Sequence, residues 1–313
     1  MPGGTFKMAF KHLAVLLTCM LAAAANAVPG ADESTTTPSV DSSINELPES
    51  LTTASAVNST VEVSEPQLTS TNQMVQNLYD AIVYENYDEA VSQALNCMRY
   101  DRPDVIKLTV DKLIRQQRTF TAGFAYKLGA AGGEDIIRSE FPPAYRMVLN
   151  DTFIKFINYQ DRVSIELGIT PDFADDKRLY GNNDHPHSQN YHWKLEPVMD
   201  GKKIYFKIRH RVEERYLKLA HNADRDGDYQ AYASTNSDTN RHLWSFQPVM
   251  YNGELLFFVI NRAHFQALKF GRRVYDGSRN LYSQGGNFAA HPELNGWTIE
   301  AFGDSSKFVI IRD

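Results

Sequence analysis

The hydrophobic period changes near residue 150, and three related units of about fifty residues follow the change, punctuated by turns rich in Gly, Asn and Asp. These observations predict a multidomain α and β chain: an all-helical domain over 73–150, then a C-terminal β-trefoil over 151–313. The helical part opens with Met74, Val75, Leu78, Ile82 and Val83 at helical spacing, with Thr71 or Asn72 available as a cap. After Asn86, residues Ala90, Val91, Ala94, Leu95 and Met98 repeat the pattern, with Cys97 read as a buried small residue among them. Val105, Ile106, Val110, Leu113 and Ile114 give a third stripe. "TAGFAYKL" and "EDIIRSEF" are shorter helical pieces, and Pro142-Pro143 stops the second.

The second part repeats itself. "WKLEPV" from Trp193 returns as "WSFQPV" from Trp244 and "WTIEAF" from Trp297, at intervals of 51 and 53 residues. "FINYQD" from Phe156, "KIRHRVE" from Lys207 and "VINRAH" from Val259 keep the same step, and Tyr180, Tyr232 and Tyr282 each end a polar loop. Three short-stranded units are too few for an open solenoid, and closing them on themselves removes exposed sheet edges. Alternation then sends Trp193, Leu195, Trp244, Phe246, Trp297 and Ile299 into a shared core.

The front of the chain is of another kind. Lys7 and Lys11, an apolar run from Leu13 to Ala25, and "ANA" ending at Ala27 form a secretory signal over 1–27. That run is too short to span a bilayer, so no transmembrane segment is expected and the protein is secreted. Residues 28–72 read as a disordered acidic spacer. Positions 31–72 hold 17 Ser or Thr and seven acids, with no Lys, Arg or aromatic residue. Such composition suits O-glycosylation, and Asn58 and Asn150 head sequons for N-glycosylation. The whole chain carries a net charge of −6, and loss of the signal takes it to about −8, which argues against nucleic-acid binding. Cys19 leaves with the signal, so Cys97 has no internal disulfide partner and is either free or joined to a second chain.

"LYDAIVYENYDEAV", "VDKLIRQQRTFTAGFAYKL", "DIIRSEFPPAYR", "WKLEPVMDGKKIYFKI" and "WSFQPVMYNGELLFFVINRAHFQALKF" resemble the insect 30-kilodalton haemolymph lipoproteins, the microvitellogenin-like proteins of moths. The resemblance runs from about Leu78 to Phe302. It implies a helical domain joined to a β-trefoil, secretion to haemolymph, and a storage protein that carries lipid or sugar. Members with a Ser/Thr-rich N-terminal insertion form a subgroup linked to ENF-type cytokine peptides. Cysteines common in the family are replaced here by Thr121 and Glu140, and eleven residues extend beyond Phe302.

No nucleophile elbow, metalloprotease helix or phosphate loop stands in the sequence, so no enzyme and no cofactor are expected. "ADRDGD" at Ala223–Asp228 lacks the closing Glu of a calcium loop, Thr235 standing there, and is read as a hairpin turn. His185, His187 and His192 are read as loop residues rather than metal ligands. The Gln two residues before the core Trp of ricin-type lectins is replaced by Tyr191, His242 and Asn295. Sugar-binding loops are instead sought at Asp226 with Tyr232 and Asp276 with Tyr282, where a ring stacks on a sugar face and a carboxylate takes its hydroxyls. The partners expected are small lipids or sugars, or a small cytokine peptide drawn by negative charge. Recognition of microbial glucans is a further reading by fold analogy.

Overall fold

The computed structural model describes residues 70–302, apart from 174, 184–187 and 276–277. The signal, nearly all of the spacer, Asn58, His185, His187, Asp276 and the extension past Phe302 lie outside the described residues.

Five helices lead the chain: α1 (Thr71–Val83), α2 (Tyr87–Arg99), α3 (Pro103–Arg115), α4 (Phe120–Ala130) and α5 (Glu134–Glu140). Ser70, rather than Thr71 or Asn72, caps α1, its side chain accepting the Gln73 N–H. Thr71 is already helical, and its hydroxyl accepts from Arg102 at 2.6 Å instead. Pro103 opens α3, where a missing N–H costs nothing. The first three helices stop alike. Glu85, Asp101 and Gln117 take positive φ, and the N–H groups of Asn86, Arg102 and Arg118 reach back to the carbonyls of Ala81, Cys97 and Leu113. Only α4 ends on a glycine, Gly132. Leu78, Ile82, Ala90, Ala94, Val105, Ile106, Val110 and Leu113 face inward as the spacing requires, while Met98 is exposed and Cys97 fills the inward place beside it.

Twelve strands follow: β1 (Phe153–Asn158), β2 (Ser164–Phe173), β3 (Asp176–Asn182), β4 (Trp193–Asp200), β5 (Lys203–His210) and β6 (Tyr216–Leu219). Then come β7 (Ala231–Ser234), β8 (Trp244–Tyr251), β9 (Glu254–Asn261), β10 (Ala267–Tyr275) and β11 (Ser278–Gln284). A one-turn helix α6 (Pro292–Asn295) leads into β12 (Gly296–Phe302). Six strands close a ring in the order β1, β12, β9, β8, β5, β4 and back to β1, every pair antiparallel. The other six form three hairpins, β2–β3, β6–β7 and β10–β11, tied to one another through β3–β7 and β3–β11.

The repeats map onto this arrangement. Trp193, Trp244 and Trp297 are fully buried, and their indole N–H groups donate to the carbonyls of Ile165, Leu217 and Leu268 at 3.2, 3.0 and 3.0 Å. Each tryptophan thereby pins one hairpin to the ring. Leu195, Phe246 and Ile299 are buried beside them, and Phe246 lies between Phe156, Phe206 and Phe257 in the centre.

Helices and ring share one hydrophobic core that runs from Leu78 to Ile299. Tyr126 meets Phe206 edge-on and Tyr145 meets Phe257 at 5.3 Å. The approach is closest at Gly123, where an added Cβ would stand 2.8 Å from the Tyr87 hydroxyl and 3.3 Å from Ile204.

Candidate functional site

The three tyrosines that mark the repeats come together on the hairpins. In the ladders joining hairpin to hairpin, Arg178 faces Tyr232, Asn280 faces Tyr180, and Gln230 faces Tyr282. Leu179, Ala231 and Leu281, next to the tyrosines in sequence, are buried. Alternation therefore puts Tyr180, Tyr232 and Tyr282 on the opposite, outer face, where all three are half-buried. An added Cβ would stand 2.8 Å from the Tyr180 ring at Gly168 and 3.0 Å from the Tyr282 ring at Gly271. Those two glycines let the rings lie low on the neighbouring strand, so the surface is a flat plate.

Three cations around the plate are matched. Asp172 grips the Arg178 guanidinium with both oxygens, at 2.7 and 2.8 Å. Lys218 and Lys269, ladder partners of Tyr232 and Tyr282, are held by Asp176 at 2.7 Å and Asp228 at 2.6 Å. The Tyr232 hydroxyl donates to Gln230 at 2.9 Å. Burial first, then the Asp172 carboxylate, raises its pKa, so it stays neutral at physiological pH. Rings, amides and neutral hydroxyls with paired charges suit a neutral, hydroxyl-rich ligand better than an anion.

Asp226 and Tyr232 are not hydrogen-bonded to one another. Asp226 sits at an exposed turn closed by the Asp226 and Asp228 N–H groups donating to Asp224, with Gly227 at positive φ. Tyr232 bonds Gln230 on its own strand instead. The plate was out of reach of sequence spacing because it depends on pairing between hairpins some fifty residues apart.

A concavity of about 300 Å³ lies apart from the plate, where Pro143, Ala144 and Arg146 meet Ile299, Glu300, Ala301 and Phe302. That is the lower bound of the roughly 300–1,000 Å³ of small-molecule clefts. Cys97 is buried, and burial raises its thiol pKa, so the folded surface does not present a reactive thiolate there. Asn150 is exposed between the helices and β1. Among the described residues, no three His, Cys, Asp or Glu side chains are grouped to hold a metal ion, and no helix is long and apolar enough to cross a membrane.

Fold and site define a mixed protein, a helical region followed by a sheet-rich domain, whose plate of three tyrosines lies on strands. Residues 72–301 match the family described as Lepidopteran low molecular weight (30 kD) lipoprotein, and the chain belongs to that family. It is 37% identical over 227 residues to microvitellogenin of Manduca sexta, covering 72% of this chain and 91% of that one. It is 29% identical over 245 residues to low molecular mass lipoprotein PBMHPC-23 of Bombyx mori, covering 77% and 93%. Solved structures of β-trefoil type are similar at lower level. An SDF2-like protein of Arabidopsis thaliana gives a TM-score of 0.38 at 14% identity over 48% of this chain and 92% of that chain. The BEL beta-trefoil gives 0.36 at 12% identity over 49% and 94%.

Proposed function

We propose that this chain is a secreted, non-enzymatic haemolymph protein that stores and carries small ligands, with its sheet-rich domain built as a β-trefoil. The ring of six strands, the three hairpins and the three matched Trp anchors support the trefoil reading. Family membership supports storage and carriage. The observation that carries the ligand class is the tyrosine plate: three phenols among amides, with Arg178, Lys218 and Lys269 already paired, fit sugar better than a charged lipid head group. The test is to purify the protein from its native fluid and identify by mass spectrometry what travels with it. Neutral sugars in the eluate, with binding weakened about tenfold in Tyr232→Ala, are expected; sugar affinity unchanged in that variant removes the plate from the account.

A second reading is capture of a small cytokine peptide of the ENF type. It is favoured by the charge near −8 of the chain without its signal and by the acidic Ser/Thr-rich segment at 31–72. A peptide recovered near one to one and released by salt supports this reading over the first.

A further inference from the structure

Each lobe of the ring carries one buried residue opposite its core tryptophan: Asn158 opposite Trp297, His210 opposite Trp193, Asn261 opposite Trp244. The two asparagines make the same pair of bonds. Their side-chain N–H₂ donates to the carbonyl three residues before the tryptophan, Leu294 for Asn158 at 2.9 Å and Arg241 for Asn261 at 2.8 Å. Their Oδ1 accepts a backbone N–H from the following turn, that of Asp161 at 3.1 Å or Ala263 at 3.0 Å. In the first lobe an imidazole takes over. His210 Nδ1 accepts the Glu213 N–H at 3.2 Å, and its Nε2 faces the Asn190 backbone without a well-aligned bond.

The same turn has a second imidazole attachment. His192 Nδ1 stands 3.2 Å from the Arg211 guanidinium, which can only donate, so this nitrogen must accept. Turn 211–214 is thus fastened by two ring nitrogens whose partners, a guanidinium and a backbone amide, can never turn acceptor. His242, in the second lobe, differs: its Nδ1 meets the Thr239 hydroxyl at 2.9 Å, and a hydroxyl can reverse its role. An asparagine cannot titrate at all.

We propose that turn 211–214 is an acid-released latch, in which protonation of His192 and His210 drives the turn off the ring and loosens the first lobe while the asparagine-fastened turn 159–162 holds. The groups facing the latch agree with this. His192 faces Arg211, Lys155 and His210, with the Phe302 ring beside it; His210 faces Lys177 and Glu213, with the Trp193 ring beside it. Burial and then these cations hold both imidazoles at about 4, Glu213 and the Asn190 backbone pulling the other way at His210. Glu213 is itself paired with Lys177 and Arg215. Their bonds outweigh its burial and hold its pKa below the ordinary carboxylate value, so it stays charged at pH 5 and the release belongs to the imidazoles. A freed imidazole returns to its ordinary pKa of about 6.5, so at pH 5 opening is favoured about twentyfold per ring over pH 7.

Hydrogen exchange on the full chain reads this directly. Between pH 7 and pH 5, after correction for intrinsic rates, amides of 211–216 should lose at least tenfold in protection while those of 159–164 change less than threefold; turn 262–265 carries His264, itself held below its ordinary pKa by burial, and is not the reference. In His210→Asn the acid response of the first turn should fall to the part that His192 alone supplies, and Asn158→His should add acid sensitivity to turn 159–162. An equal loss in turn 159–162 of the native protein overturns the latch, as does an unchanged response in His210→Asn. Should His210→Asn fail to fold, Asn158→His decides: no acid response in its turn overturns the proposal.

Discussion

His192, His210 and His242 are buried, and burial, ahead of nearby cations, holds each at about 4. The unfolded chain protonates them near 6.5 and the folded one near 4, so below 6.5 the unfolded state binds more protons. Their contribution is therefore fully present above pH 6.5 and is lost as pH falls toward 4, by on the order of 3 kcal/mol for each ring. Urea unfolding should show a midpoint flat from pH 7 to 8 and falling steeply from 6.5 to 4.5; a midpoint independent of pH below 6.5 contradicts this. The indole anchors make a separate test. Trp244→Phe leaves the buried Leu217 carbonyl without its donor, and should cost about 1–3 kcal/mol by the same measurement. The repeat itself shows the substitution behind the latch: "FIN", "IRH" and "VIN" align His210 with Asn158 and Asn261. Its meaning was not legible, because the bonds run to backbone groups that a linear pattern does not locate.

Helix stripes and strand alternation were readable at the scale of elements because each rests on a local period. Helix ends were less so. Glu85, Asp101 and Gln117 stop three helices in a conformation that favours glycine, and nothing in those residue types announces it. Asp101→Gly should therefore stabilise by about 1 kcal/mol and raise the thermal midpoint by about 2–4 °C, since Gly enters that region freely. A fall in the midpoint would show that the Asp101 side chain contributes more than its backbone strain costs. The tyrosine plate belongs to this scale as well. Tyr180, Tyr232 and Tyr282 were visible as three loop ends, but only the pairing of β3 with β7 and β11 turns them into one surface.

For the molecule as a whole, the core shared by helices and ring argues for one cooperative transition. All three tryptophans lie in strands, so their fluorescence reports the sheet, while ellipticity at the helical band reports 71–140. The two probes should unfold with the same midpoint in urea, and separated midpoints would mean that the Tyr126–Phe206 and Tyr145–Phe257 contacts do not couple the regions.

Strands β1 and β12 pair along six positions, from Phe153 opposite Phe302 to Asn158 opposite Trp297. The first strand of the ring thus waits for the last. While the chain is being made, β1 emerges with no partner on that side until nearly all the described sequence has left the ribosome. The helices can form early from local contacts, whereas the ring becomes possible only once β12 has emerged. A nascent chain stopped before Trp297 would show helices without a closed barrel, and would expose to its surroundings the apolar faces that the finished protein hides.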